Sequence, residues 1–210
     1  MPVEAAQYPV NLILSGEPCL VVGGGSIAAR KIDGLLACQA RVHVIAETVG
    51  PEVRARAVRW DERRYRQGDV AGFRLVVAAT DDSRVNHMVY QDARAAGVWI
   101  NTADDPAACT FTLPSVTRRG PIMVTVSTGG HSPALATWLR ARIEGELGPE
   151  YEILVDLLSD ARNDMKAAGR STEEADWQSA IDSDMLDLIR AGQVDRAKER
   201  LRAWLSLSSD

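Results

Sequence analysis

Cysteine and histidine are scarce in this 210-residue chain, and each scarcity excludes a class of function. The three cysteines, Cys19, Cys38 and Cys109, stand far apart with no C-x-x-C pair. They exclude a disulfide frame and a thiolate metal site, and read as buried small apolar residues of a cytoplasmic protein. The three histidines, His43, His87 and His131, show no H-x-x-x-H spacing, so no bound metal is expected. There is no nucleophile elbow and no Walker lysine. No apolar run reaches the length of a membrane span, and Met1 to Gln7 lacks the basic and apolar regions of a signal peptide. Basic excess is also missing. Lys and Arg number 24 against 29 Asp and Glu, a net charge of −5, which argues against a general nucleic-acid binder. An anionic ligand must therefore be met by a local cluster of cations or backbone N–H groups.

The chain is organised around Leu20-Val21-Val22-Gly23-Gly24-Gly25-Ser26-Ile27-Ala28. An apolar run ends in a glycine turn, and a helical pattern follows at once through Ala28, Ile32, Leu35 and Leu36. The glycines read G-x-G-x-x-A. Gly23 permits a tight turn, Gly25 lets a pyrophosphate approach, and Ala28 lets the helix pack on the strand. The first turn of that helix would aim free N–H groups at phosphates. A plain tight turn is the alternative.

Val42 to Ile45 reads as the second strand, after a short lead-in at Tyr8 to Leu14 that could form an edge strand. Glu47 and Thr48 lie at the tip of the second strand, about 20 residues beyond the fingerprint, where an acid binds the adenosine ribose. An acid there favours NAD over NADP; a solvated loop glutamate is the alternative. The arginines from Arg54 to Arg66 interleave with Glu52, Asp61, Glu62 and Asp69, which describes a solvated helix and edge strand rather than an anion surface. Leu75 to Ala79 is a buried parallel strand, followed by Thr80, Asp81 and a helix capped by Asp82 or Ser83 with core face Val85, Met88, Val89, Ala93 and Ala96. Val98 to Asn101 is a fifth strand. Alternating strands and helices predict an α/β fold, a Rossmann-like doubly wound parallel sheet with its ligand at the strands' carboxyl ends.

The pattern then changes. Phe111 to Val116 and Ile122 to Ser127 read as a hairpin around Arg118 to Pro121. Thr128-Gly129-Gly130-His131-Ser132-Pro133 is a second glycine turn, a plausible anion cradle, opening a helix with Ser132 as N-cap and a sticky face of Leu135, Leu139, Ile143 and Leu147. Arg30, Lys31, Arg118, Arg119, Arg140 and Arg142 could add charge for a substrate with several carboxylates. From Glu150 only helices follow. One stripe holds Tyr151, Leu154, Val155, Leu158, Ala161 and Met165; Thr172 with Glu174 opens a helix carrying Trp177 and Ile181; the last carries Val194, Ala197, Leu201 and Leu205. Asp104 and Asp105 lie just past the fifth strand. A carboxylate beside a nicotinamide can take a proton while a hydride leaves the same substrate, or Asp105-Pro106 merely starts a turn.

These residues resemble the precorrin-2 dehydrogenase and sirohydrochlorin ferrochelatase family. The resemblance rests on Tyr8-Pro9-Val10-Asn11-Leu12, Val21 to Gly25 with Ala28 and Arg30-Lys31, and Ala78 to Asp82 with Asn86. It continues through Asn101 with Ala103-Asp104, Phe111 with Leu113-Pro114-Ser115, Arg119-Gly120-Pro121, and Ser127 to Gly130 with Ser132 to Ala136. It implies an NAD-binding Rossmann domain over 1–113, a small α+β dimerisation region over 114–148 and a C-terminal helical domain over 149–210. It implies NAD-dependent oxidation of precorrin-2 to sirohydrochlorin in a cytoplasmic homodimer, with Asp104 as the catalytic aspartate. In some members the same aspartate serves insertion of Fe²⁺, as substrate, into sirohydrochlorin. The cofactor contacts are expected at Gly23, Gly24, Gly25, Ser26, Ile27, Glu47, Thr48, Thr80 and Asp81. The tetrapyrrole contacts are expected at Asn101, Thr128, Gly129, Gly130, His131 and Ser132. Thr128 aligns with a serine phosphorylated in some members, and His131 falls where relatives often carry Lys or Thr. The rival is a nucleotide-sensing module without catalysis, like the NAD-binding domains of potassium-channel regulators; the stretch Phe111 to Ala136 separates the two.

Overall fold

A computed structural model describes residues 6–103, 105–173 and 175–207. The chain divides into two compact units, one of residues up to Leu113 with Gly129–His131, the other of Pro114–Thr128 and Ser132 onward.

The first unit runs β1 (Pro18–Val22), α1 (Ser26–Leu36), β2 (Arg41–Ala46), α2 (Pro51–Arg54), β3 (Arg59–Glu62), β4 (Leu75–Ala78), α3 (Ser83–Ala96) and β5 (Trp99–Thr102). All five strands are parallel, in the order β3-β2-β1-β4-β5. The expected doubly wound sheet is present. Its central strands are continuously apolar because both faces are covered. Cys19 and Val21 pack with Ala28, Ala29, Ile32 and Leu35 of α1 on one side; Leu20 and Val22 pack with Val89 and Ala93 of α3 on the other. Consecutive residues serve opposite faces because the strand period is two.

Several expectations shift. Tyr8 to Leu14 forms no strand. Pro9 has no N–H to give a ladder, and Tyr8 and Ile13 are exposed. On α3, Met88 and Ala96 are exposed, and the buried face is Val89, Ala93 and Asn86, with Val85 and Tyr90 partly buried. A polar residue thus takes a core position that the apolar pattern gave to Met88. Asp82 is the cap, accepting from Arg84 N, and Gly97 ends α3 in the left-handed region at φ 68°. Of the cysteines, only Cys19 is fully buried. Burial pushes its thiol up to about 11.

The second unit holds the antiparallel hairpin β6 (Ser115–Arg119) and β7 (Ile122–Val126), then α4 (Pro133–Glu146), α5 (Glu150–Ala167), α6 (Trp177–Ile181), α7 (Met185–Arg190) and α8 (Val194–Leu207). β6 starts later than the apolar run suggests because Thr110 and Phe111 are bound to β5. Thr110 N donates to Ile100 O at 2.8 Å, and Asn101 Nδ2 donates to Phe111 O at 3.1 Å. The hairpin and the helices cluster together. Arg119 Nε donates to Leu147 O, and Gly120 lies against the Glu152 side chain. Leu154, Leu157 and Met165 of α5 share one core with Ala180, Met185, Ile189, Ala197, Leu201 and Leu205. Leu157 replaces the expected Val155, which is half-buried. Asp176, not Thr172, caps α6, accepting from Ser179 N at 3.0 Å; Glu174 lies outside the described residues.

Candidate dinucleotide and tetrapyrrole site

The parallel register aligns the strand tips. Val22 of β1 pairs with Ile45 of β2 and Ala78 of β4, and Ala78 pairs with Thr102 of β5. The residues just past these tips, Gly23 to Ile27, Glu47 and Thr48, and Thr80 and Asp81, therefore stand along one edge of the sheet. Asn101 lies in β5 itself, one residue before its end. The chain departs β1 toward one face and β4 toward the other, which is the switch point where such sheets bind ligands.

The three glycines do different work. Gly23 has φ 131°, and a Cβ there would meet Ala79 O at 2.3 Å. Gly24 has Thr48 O where its Cβ would be, at 2.0 Å, and its own carbonyl accepts from Gly50 N at 2.9 Å. Both are glycine because the chain's own backbone crowds them. Gly25 is different. It has φ −90° and ψ −172°, a conformation any residue adopts, and nothing lies within 4 Å of a built Cβ. It is the N-cap of α1, where no side-chain cap is made and no acidic residue stands in the first turn. That is a helix N-terminus left open for an anion, with a space a side chain would fill. These features fit a pyrophosphate held by Gly25, Ser26 and Ile27.

The loop after β2 is held by a clamp with no signature in the spacing. Val49 N donates to Glu62 Oε1 at 3.0 Å, Arg54 Nη2 donates to Glu62 Oε2 at 2.7 Å, and Arg54 Nε donates to Val49 O at 2.9 Å. The Val49 N–H and then Arg54 hold the Glu62 carboxyl below the usual range. Glu47, exposed at the tip of β2, pairs with Arg64 at 3.2 Å. Thr80 is fixed by buried Asn86. The Asn86 Oδ1 accepts from Thr80 N at 3.1 Å and from its hydroxyl at 2.8 Å, while Asn86 Nδ2 donates to Thr80 O at 3.0 Å. Asp81 is exposed beside it.

Asn101 is buried and used within the chain. Lys31 Nζ of α1 donates to its Oδ1 at 3.3 Å, and its Nδ2 serves Phe111 O. It ties α1 to β5 and stands as a support for neighbouring groups. Asp104, the expected proton acceptor, lies outside the described residues. Its flanks are fixed. Ala103 N donates to Ala78 O at 2.8 Å, Thr102 Oγ1 donates to Ala108 O at 2.7 Å, and Cys109 Sγ lies 3.2 Å from both Thr102 N and Asp105 O. Burial raises the Cys109 thiol. Asp105 caps a short 3-10 turn over Pro106–Ala108, as the bland reading of that aspartate has it.

In the second glycine turn, Gly129 and Gly130 take φ 60° and 82°. Ser132 N donates to Thr128 Oγ1 at 3.0 Å, and Leu135 N donates to Ser132 Oγ at 3.2 Å. Unlike α1, α4 is thus capped by a side chain, so the Ser132 hydroxyl already fills part of the expected anion cradle. His131 is exposed. The supplementary cations are largely engaged: Arg119 on Leu147 O, Arg140 on Glu144, and Arg142 beside Glu146 and over Trp138. Among the described residues no group of three or more His, Cys, Asp or Glu could hold a metal ion, and no helix is long and apolar enough to cross a membrane.

Comparison with known proteins follows this division of the chain. A family described as "Putative NAD(P)-binding" matches residues 10–115, and one described as "Sirohaem biosynthesis protein central" matches residues 119–146. The siroheme synthase of Nitrosococcus oceani is 37% identical over 210 residues, covering 95% of this chain and 44% of that protein. That of Mannheimia succiniciproducens is 34% identical over 205 residues, covering 95% and 43%. The chain therefore spans less than half the length of these curated relatives. Among solved structures, SirC, a precorrin-2 dehydrogenase, superposes with a TM-score of 0.71 at 25% identity, covering 96% of this chain and 98% of that one.

Proposed function

This chain belongs to the siroheme synthase family, corresponding to its amino-terminal module, and on that premise we propose that it oxidises precorrin-2 to sirohydrochlorin with NAD. The general role, NAD-dependent oxidoreductase chemistry in tetrapyrrole synthesis, follows from the relatives. One observation carries the finer reading: the end-to-end likeness to a solved precorrin-2 dehydrogenase, with an open helix N-terminus at Gly25 in the place a dinucleotide needs.

NAD supplies the acceptor for two electrons as hydride. The chain's residues do the rest. Gly25, Ser26 and Ile27 hold the pyrophosphate by backbone N–H groups. Glu47 and Thr48 meet the adenosine ribose, and Thr80 and Asp81 border the nicotinamide end. Precorrin-2 gives up a hydride and a proton, and the loss of both extends the conjugation of the macrocycle. The Asp104 carboxylate takes that proton. The second glycine turn, Thr128 to Ser132, meets the substrate's carboxylates.

The relatives' name supports a second activity, insertion of Fe²⁺ into sirohydrochlorin, with Asp104 accepting the pyrrole protons. The exposed Val116, Met123, Leu135 and Trp138 on β6, β7 and α4 support a homodimer through residues 114–148. We assign the protein to the cytoplasm, with its NAD.

A two-stage anoxic assay tests the proposal. Precorrin-2 with NAD should yield NADH and sirohydrochlorin; Fe²⁺ added next should shift the visible bands faster than without enzyme. No NADH in the first stage, with NADH still bound by the protein, would favour the sensor reading. No acceleration in the second would remove the chelatase.

A further inference from the structure

The acid at the tip of β2 does not stand alone. β2 and β3 are parallel with Ala46 opposite Glu62, so the residues after β3 run beside those after β2. Arg64 follows β3 by two positions, and its Nε lies 3.2 Å from Glu47 Oε2. A lone carboxylate at this tip selects a ribose with a free 2′-hydroxyl and repels a 2′-phosphate. A guanidinium seated on that carboxylate cancels the repulsion and presents a fork of donors suited to phosphate.

The pair is also easily opened. The Arg64 side chain is 82% exposed and that of Glu47 60%, and an ion pair so exposed adds little to stability. Nearby guanidinium groups are tied more firmly. Arg54 bridges Glu62 and Val49 O, Arg56 forks onto Asp33, and Arg63 forks onto Asp69 with Asp61 at 3.4 Å. Arg64 is set against the ribose-site acid itself. The loop that carries Glu47 is meanwhile held by Gly50 on Gly24 and Val49 on Glu62, so the acid's place is fixed while its partner can turn away.

We infer that Glu47 and Arg64 together make the ribose end of this site accept both NAD and NADP, Glu47 bonding the free ribose and Arg64 taking the 2′-phosphate. The inference rests on the reading of the strand tips as a dinucleotide site. It removes the preference for NAD that Glu47 alone implies.

Direct titration tests it without substrate. NADH and NADPH are added to the wild type, Arg64→Ala and Glu47→Gln, and binding is read by tryptophan fluorescence or calorimetry. The wild type should bind NADPH within about tenfold of NADH, and Arg64→Ala should move the ratio about tenfold toward NADH, the worth of one charge-assisted hydrogen bond. Glu47→Gln should move it toward NADPH. Added salt should weaken NADPH binding more than NADH binding, because the extra contact is between exposed charges. Wild type that binds NADH but discriminates against NADPH more than about 100-fold would overturn the inference and leave the dinucleotide reading intact. So would an Arg64→Ala ratio equal to that of the wild type. If neither nucleotide binds, the dinucleotide reading itself falls.

Discussion

The open space in front of Gly25 makes a prediction that separates glycines kept for the fold from a glycine kept for a ligand. Alanine at Gly25 meets nothing of the chain within 4 Å and needs no unusual backbone angle. The ligand-free protein should change little, because the gain of about 0.4–1 kcal/mol from a less flexible unfolded chain is offset by alanine's poorer fit at an N-cap. Alanine at Gly24 puts a methyl carbon 2.0 Å from Thr48 O, more than 1 Å inside contact distance. Backbone must give way on both loops, at a cost of about 3 kcal/mol. At Gly23 the clash with Ala79 O at 2.3 Å is joined by φ 131°, which adds about 1–3 kcal/mol of strain. Denaturant melts of the ligand-free variants should thus rank Gly25→Ala close to the wild type, with Gly24→Ala and Gly23→Ala well below. NADH titration should set Gly25→Ala apart from the wild type. The Gly25→Ala methyl takes the volume of the pyrophosphate and should cost at least about tenfold in affinity, about 1.4 kcal/mol. Wild-type NADH affinity in folded Gly25→Ala would refute the pyrophosphate assignment. Destabilisation equal to that of Gly24→Ala would refute the division of roles.

Other substitutions probe the supports. Asn86→Ala removes the buried side chain that holds the Thr80 turn and should destabilise the first unit by about 1–3 kcal/mol, read by urea melts together with weaker NADH binding. Glu62 has a folded-state pKa below its unfolded one, so its stabilisation is complete above the usual glutamate range and is lost as pH falls through the lowered value. Melts at neutral and acid pH should show Glu62→Gln losing stability chiefly at the neutral end, with a shallower acid decline than wild type; equal slopes would count against the clamp. Leu201→Ala, fully buried in the helical core, should cost about 2–5 kcal/mol and leave NADH affinity unchanged.

The parallel sheet was legible because its signals are local. A buried strand reads as an unbroken apolar run, and a glycine turn between such a run and a helical pattern marks a strand-to-helix unit. The caps at Asp82 and Ser132 were legible for the same reason: a side chain two or three positions from the N–H it accepts needs only neighbours in sequence. What escaped was set by pairing between distant segments. Nothing in the spacing says that Glu62 holds Val49, that Lys31 reaches Asn101 from α1, or that Arg64 sits on Glu47; each depends on which strands lie side by side. Gly24 fills the x of G-x-G, which asks for no glycine, and the approach of Thr48 O explains why one stands there. Tyr8 to Leu14 misled in the other direction: its apolar residues could form an edge strand, yet among the described residues no strand pairs with it, and Tyr8 and Ile13 stay exposed. The proposed reaction rests on likeness to a family, because the glycine fold at its centre serves many chemistries.

The central claim is that this chain removes a hydride and a proton from precorrin-2, with Asp104 taking the proton. The most direct test follows NADH formation from precorrin-2 and NAD by wild type and Asp104→Ala, with NADH binding measured on both. The account predicts equimolar NADH and sirohydrochlorin from the wild type, and loss of turnover with intact NADH binding in the variant. Wild-type turnover by Asp104→Ala would contradict the assignment of the base; a wild type that binds NADH and forms none from precorrin-2 would contradict the reaction.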